Sequence, residues 1–114
     1  MVTKDYNKYR GDDIVLKLTF TKDTGEPHDI SGWTVFFTLK SNIDDSDDDA
    51  KIIKSFVIID GASGVIQFDL THEETDELLG AYYYDIQYKD TAGKIGTIQA
   101  GEFYFKEDVT RRTS

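Results

Sequence analysis

Between Gly64 and Tyr88 the chain reads strand, helical turn, strand. Ile66, Phe68 and Leu70 alternate with Gln67 and Asp69, the period of a strand with one buried and one wet face. Thr71 and Glu74 then have capping-box spacing, so each side chain can satisfy an orphan amide of a first helical turn. Gly80 ends that turn. Tyr82, Tyr84, Ile86 and Tyr88 resume the alternation. A two-residue period on both sides of one short turn marks both segments as half-buried strands.

The same signal recurs along the chain. In Ile14 to Thr21, residues Ile14, Leu16, Leu18 and Phe20 share a face. Asp23-Thr24-Gly25-Glu26-Pro27 supplies turn chemistry, and Trp33 to Lys40 follows with Trp33, Val35, Phe37 and Leu39 inward. Lys51 to Ile59 carries its apolar residues in pairs, which leaves its facing open and admits a β-bulge. Ala81 to Lys89 and Lys94 to Gln99 flank Asp90-Thr91-Ala92-Gly93, a hairpin signal. Ala100-Gly101 reads as a bend before a last strand, Glu102 to Lys106, with Phe103 and Phe105 inward. About seven short strands and one helical turn predict an all-β, two-sheet antiparallel sandwich, with a small partly open barrel as the alternative. Trp33 is expected at its centre, in one buried cluster with Phe37, Phe68 and Ile86.

The 114 residues make one domain, 1–114, with its core at about 11–111 and polar termini. Seven Phe, seven Tyr and one Trp argue for a packed core rather than an acidic disordered chain. The formal net charge of −9 repels phosphates and anionic lipid surfaces. No nucleic-acid or membrane partner is therefore expected. There is no cysteine, hence no disulfide and no thiolate metal site. Met1 to Arg10 has no secretory apolar segment, and no apolar run reaches the roughly 20 residues of a membrane span. The chain is expected to be made in the cytosol.

The sequence carries no recognisable catalytic motif. His28 lies beside a turn proline and His72 opens the helical turn, and neither stands in a metal-binding spacing. No serine occupies a nucleophile elbow, and Gly61 and Gly64 read as a turn rather than a phosphate loop. The acidic run Asp44 to Asp49 lacks the glycine and the closing Glu of a calcium loop, so it reads as a solvated charged loop. No catalytic residue, cofactor or metal is expected. Two aromatics do stand out: Phe36 and Tyr83 fall on the polar side of their strands, where folding does not require them. They are the candidate interface residues.

The order of these elements resembles a known pattern. Gly11-Asp12-Asp13 precedes a strand, and Gly25-Glu26-Pro27-His28-Asp29-Ile30-Ser31-Gly32-Trp33 follows it. Then come Gly64-Val65-Ile66, Leu70-Thr71, Glu74-Thr75, Gly80-x-Tyr82-x-Tyr84-Asp85-Ile86-Gln87, Gly93-Lys94, Gly101-Glu102-Phe103 and Asp108-Val109-Thr110-Arg111. From about Gly11 to Arg111 the chain is similar to tail and baseplate structural proteins of tailed phages and prophages. It resembles in particular the N-terminal domain of the upper baseplate protein of lactococcal phages. The resemblance implies an immunoglobulin-like β-sandwich, placed in the virion, that acts by contact with other tail or baseplate proteins as an adaptor or decoration module. It also implies possible homo-oligomerisation within a particle and carries over no catalytic residue. Two other readings stand beside it: a carbohydrate- or cell-surface-binding β-sandwich module, and a small hydrolase on a β scaffold.

Overall fold

The computed structural model describes residues 2–20, 24–25, 29–42, 44, 50–58 and 61–107. It contains eight strands and one short helix: β1 (Val2–Thr3), β2 (Tyr6–Tyr9), β3 (Ile14–Thr19), β4 (Thr34–Lys40), β5 (Ile52–Val57), β6 (Val65–Leu70), α1 (His72–Thr75), β7 (Gly80–Lys89) and β8 (Ile95–Lys106). A large sheet runs β1-β8-β7-β4-β5, with β2 also on β8, and a small sheet pairs β3 with β6. The two inner faces enclose one core, as the alternation requires of an all-β sandwich. The layout is immunoglobulin-like, and the strands are antiparallel except at one edge. There β1 and β2 run parallel to β8, with Val2 opposite Gln99 and Tyr6 opposite Phe103.

Every inward position of the central strands is apolar or a satisfied polar group. Val35, Phe37, Leu39, Ile86, Phe103 and Phe105 are fully buried, and β3 and β6 contribute Leu16, Ile66, Phe68 and Leu70 from the opposite sheet. Phe37 sits at the middle of this cluster, 5.7 Å from the ring of Phe68 across the sandwich and 5.9 Å from that of Tyr84 beside it. Trp33, expected at the centre, is instead only partly buried against the core. It precedes the first residue of β4 and closes one end of the sandwich, stacked at 4.8 Å on Tyr88 and edge-on to Phe20. Phe37, four residues further along β4, takes the central place.

The tyrosines of β7 keep their hydroxyls on protein groups. The Tyr82 hydroxyl accepts the Leu79 amide at 3.0 Å, a tyrosine corner of the kind found where an immunoglobulin-like sandwich crosses between sheets. The Tyr84 hydroxyl donates to the Lys4 carbonyl at 2.6 Å and accepts from the Gln99 amide at 3.0 Å. Burial pushes this phenol up to about 12, with the Gln99 bond opposing and the nearby Tyr6 and Asp5 reinforcing the rise. The bond to Lys4 ties the N-terminal strand to the core.

That strand is the main departure from the sequence reading, which left residues 2–9 as a polar end. Tyr6 stacks on Phe103 at 5.1 Å, and Lys8 shares its half-buried face while Asn7 and Tyr9 are exposed. A second departure concerns β8. Ala100-Gly101 does not divide it; the strand is continuous from Ile95 to Lys106. Gly101 is needed for a different reason, because a Cβ there would run into the Lys4 carbonyl oxygen. The glycine lets the N-terminal strand approach. The bulge that the third predicted strand admits lies elsewhere. The β4–β5 register is unbroken from Thr34 to Leu39, whereas the β7–β8 register shifts between Ile86 and Gln87. That shift turns Ile98 and Gln99 together toward the core.

The corner elements follow the sequence closely. The Thr71 and Glu74 capping box is present, with both reciprocal bonds. The helix it starts is one turn long, ending well before Gly80. Gly93 has φ +87°, and the Asp90 carboxylate accepts from the amides of Ala92 and Lys94, closing the hairpin. His72 is half-buried, not a free loop residue. Its amide donates to Asp13 Oδ1 at 2.6 Å, and its ring Nδ1 lies 3.0 Å from the same oxygen. His28 and Asp45 to Asp49 lie outside the described residues, so only Asp44 of the acidic run is seen, and it is exposed.

Candidate functional site

The outward face of the large sheet carries the side chains that folding does not use. Alternation places Thr34, Phe36, Thr38 and Lys40 of β4 on it, opposite Lys89, Gln87, Asp85 and Tyr83 of β7. Both aromatics singled out from the sequence are therefore on one surface. Phe36 faces Gln87, and Tyr83 lies four residues further along β7, about 13 Å away at the usual rise per residue. Each is partly exposed. The structure thus brings them to a common face but not into contact with one another along the sheet.

Their surroundings differ. Phe36 stands beside the edge strand β5, whose outward residues Ile53 and Val57 are 56% and 58% exposed. Ile53 lies opposite Thr38, and Val57 opposite Thr34. Phe36 lies opposite Ser55, between Ile53 and Val57, so three apolar side chains surround one small polar residue along an edge that pairs, among the described residues, only with β4. The paired apolar residues of this strand explain its ambiguous sequence signal: one of each pair points to each face. Ile52 is buried, and Phe56 reaches the Phe68 ring at 5.2 Å.

The same strand carries an inward-pointing lysine. Lys54 lies opposite Phe37 on the core side and meets Glu74 at 2.8 Å. A charge turned inward at a sheet edge discourages indiscriminate strand pairing. Burial would raise the Glu74 pKa, but the Lys54 and Thr71 hydrogen bonds outweigh it and hold the carboxyl below its ordinary value of 4.5. A lowered folded-state pKa gives stability that is present above the unfolded value and lost as pH falls through the folded one. Glu74→Gln keeps a capping-box side chain and removes the charge. Near neutral pH it is expected to cost about 0.2–1 kcal/mol, as part-exposed pairs do. The difference should shrink on moving to acid, as pH falls below 4.5 and Glu74 becomes protonated in the folded state. Urea unfolding at neutral and at acid pH checks both points.

Tyr83 occupies a different part of the face. It stands at a shallow hollow of about 710 Å³. The walls come from the N-terminal segment (Thr3 of β1 and Asp5 between β1 and β2) on one side and from β4 (Thr38 and Lys40) on the other. Between them lie β7 and β8, with Asp85, Gln87 and Glu102 as the polar lining and Ala100-Gly101 as a bare floor. Gln87 Nε2 donates to Asp85 Oδ2 at 3.0 Å, and Asp5 Oδ1 accepts the Glu102 amide at 2.9 Å. Tyr104 is on the same surface, opposite Ala81 and diagonal to Tyr83, and is 46% exposed.

Sequence reasoning found Phe36 and Tyr83 from alternation alone. It missed Ile53 and Val57 because the facing of their strand was unresolved. It missed Asp5 and Thr3 because nothing local marks residues 2–9 as strand. Among the described residues, no cluster of three or more His, Asp or Glu could hold a metal ion, and no helix is long and apolar enough to cross a membrane.

The family model described as the BppU N-terminal domain, the N-terminal domain of a phage baseplate upper protein, matches residues 3–107. No curated protein matches the chain.

Proposed function

We propose, from the premise that the chain belongs to the family of BppU N-terminal domains, that it is a docking module of the virion. Membership makes it a phage baseplate structural protein; the docking mode is the reading developed here. The observation that carries it is the edge of the large sheet. Among the described residues, strand β5 has no neighbour on its outer side, next to the apolar side chains of Phe36, Ile53 and Val57. A partner segment could add a strand there and cover these side chains, which is how extended segments gain both affinity and specificity. The partner is another tail or baseplate protein. Many copies in one particle make individually weak contacts persist. Nothing in this reading needs a cofactor, a nucleic acid or a catalytic step.

Of the two outward aromatics, Phe36 is the docking anchor. Phe36→Ser should leave the unfolding midpoint nearly unchanged, since surface substitutions commonly stay within about 0.5 kcal/mol. Incorporation into purified baseplates, measured as copies per particle by quantitative mass spectrometry, should fall severalfold. Full incorporation of a correctly folded Phe36→Ser chain would refute the assignment.

A further inference from the structure

We infer that the hollow around Tyr83 is a binding site for a neutral saccharide, separate from the docking edge. Four observations carry this. The volume of about 710 Å³ lies inside the ~300–1,000 Å³ range of sites for small ligands. Tyr83 provides an aromatic ring at the hollow, and Tyr104 a second exposed ring diagonal to it on the adjacent strand. Such rings suit the C–H faces of pyranoses, which are apolar on one side and ringed by hydroxyls. Between the walls stand planar polar groups, the Asp85–Gln87 pair and Glu102, which can accept from and donate to vicinal hydroxyls. The floor at Ala100-Gly101 carries almost no side chain: Ala100, opposite Asp85, presents one methyl and Gly101 none.

The chemistry of the lining selects among ligands. Three carboxylates, Asp5, Asp85 and Glu102, face one ammonium, Lys40. The resulting negative potential opposes phosphate-bearing or uronate polymers, so the ligand is uncharged. A peptide is disfavoured for two reasons. The hollow lies over β8, β7 and β4, all paired on both sides, so no main chain can add a strand there. It also lacks the apolar anchor pocket on which protein hot spots depend. The site is on the same face as Phe36 but does not include it. Docking at the β5 edge and saccharide binding at the β7–β8 hollow can therefore fail independently.

The test uses the full chain, isotopically labelled, titrated with neutral tetrasaccharides of glucose, galactose and N-acetylglucosamine to about 10 mM, enough to detect millimolar binding. At least one should shift the amides of Thr38, Tyr83, Gln87 and Gly101 and leave β3 and β6 unmoved. Tyr83→Phe should bind like the native chain, and Tyr83→Ala at least about tenfold more weakly. Gln87→Ala, also weaker, serves if Tyr83→Ala does not fold. Phe36→Ser should bind normally. A tetrasaccharide of galacturonic acid should produce no shifts. The inference is overturned if none of the neutral probes binds, if the anionic probe binds as well as they do, or if folded Tyr83→Ala and Gln87→Ala both retain full affinity.

Discussion

Phe37→Ala is expected to cost about 3–5 kcal/mol, the largest loss of any single truncation in this chain. Phe37 is fully buried and touches rings from both sheets, Phe68 from one and Tyr84 from the other. Removing it leaves a cavity whose walls are strands held in register on both sides by β5 and β7, so collapse is opposed by the ladder itself. A loss of this size is a large part of the roughly 5–15 kcal/mol that stabilises an ordinary domain. Trp33→Ala, at the partly exposed end of the core, should cost less than Phe37→Ala. Urea unfolding of both variants decides the ranking. Equal or reversed costs would mean that the tryptophan, not Phe37, centres the sandwich.

Gly101→Ala is the second large effect, expected at about 1–3 kcal/mol by overpacking. The clash is with main chain, the Lys4 carbonyl, and main chain cannot swing aside as a flexible side-chain tip can. Relief requires the N-terminal strand to lift. That breaks the bonds from the Lys4 amide to Ala100, from the Tyr84 hydroxyl to Lys4 and from the Glu102 amide to Asp5. Hydrogen exchange should therefore quicken at residues 2–9 far more than in β3 or β6. Uniform loss of protection across the molecule, or no loss, would show that the glycine is not there to admit this strand.

The sequence and the fold agree where the physics is local. Strict alternation placed Val35, Phe37, Leu39, Ile66, Phe68 and Leu70 inward, and all six are buried. The capping box of Thr71 and Glu74 and the positive-φ turn at Gly93 depend on neighbours in the chain, and both are present. Disagreement arises where a partner distant in sequence decides. Residues 2–9 are strands only because β8 offers an edge, nearly a hundred residues later in the chain. Gly101 looked like a break in a strand because its reason lies on Lys4, not beside it. Trp33 looked central because of its size, yet its place just before β4 puts it at the rim. The candidate surface was legible to the same extent: period-2 spacing exposed Phe36 and Tyr83, but the apolar edge and the hollow around them are built by pairing.

The central claim is that this baseplate module docks through the β5 edge. The most direct measurement is amide hydrogen exchange of the chain free and within the assembled baseplate. The account predicts slowed exchange along Ile52–Val57 and in the neighbouring residues of β4, with the outer edge of β2 and the two-stranded β3–β6 sheet unchanged. Protection confined to β2 or to the small sheet, with β5 exchanging as in the free chain, would contradict it.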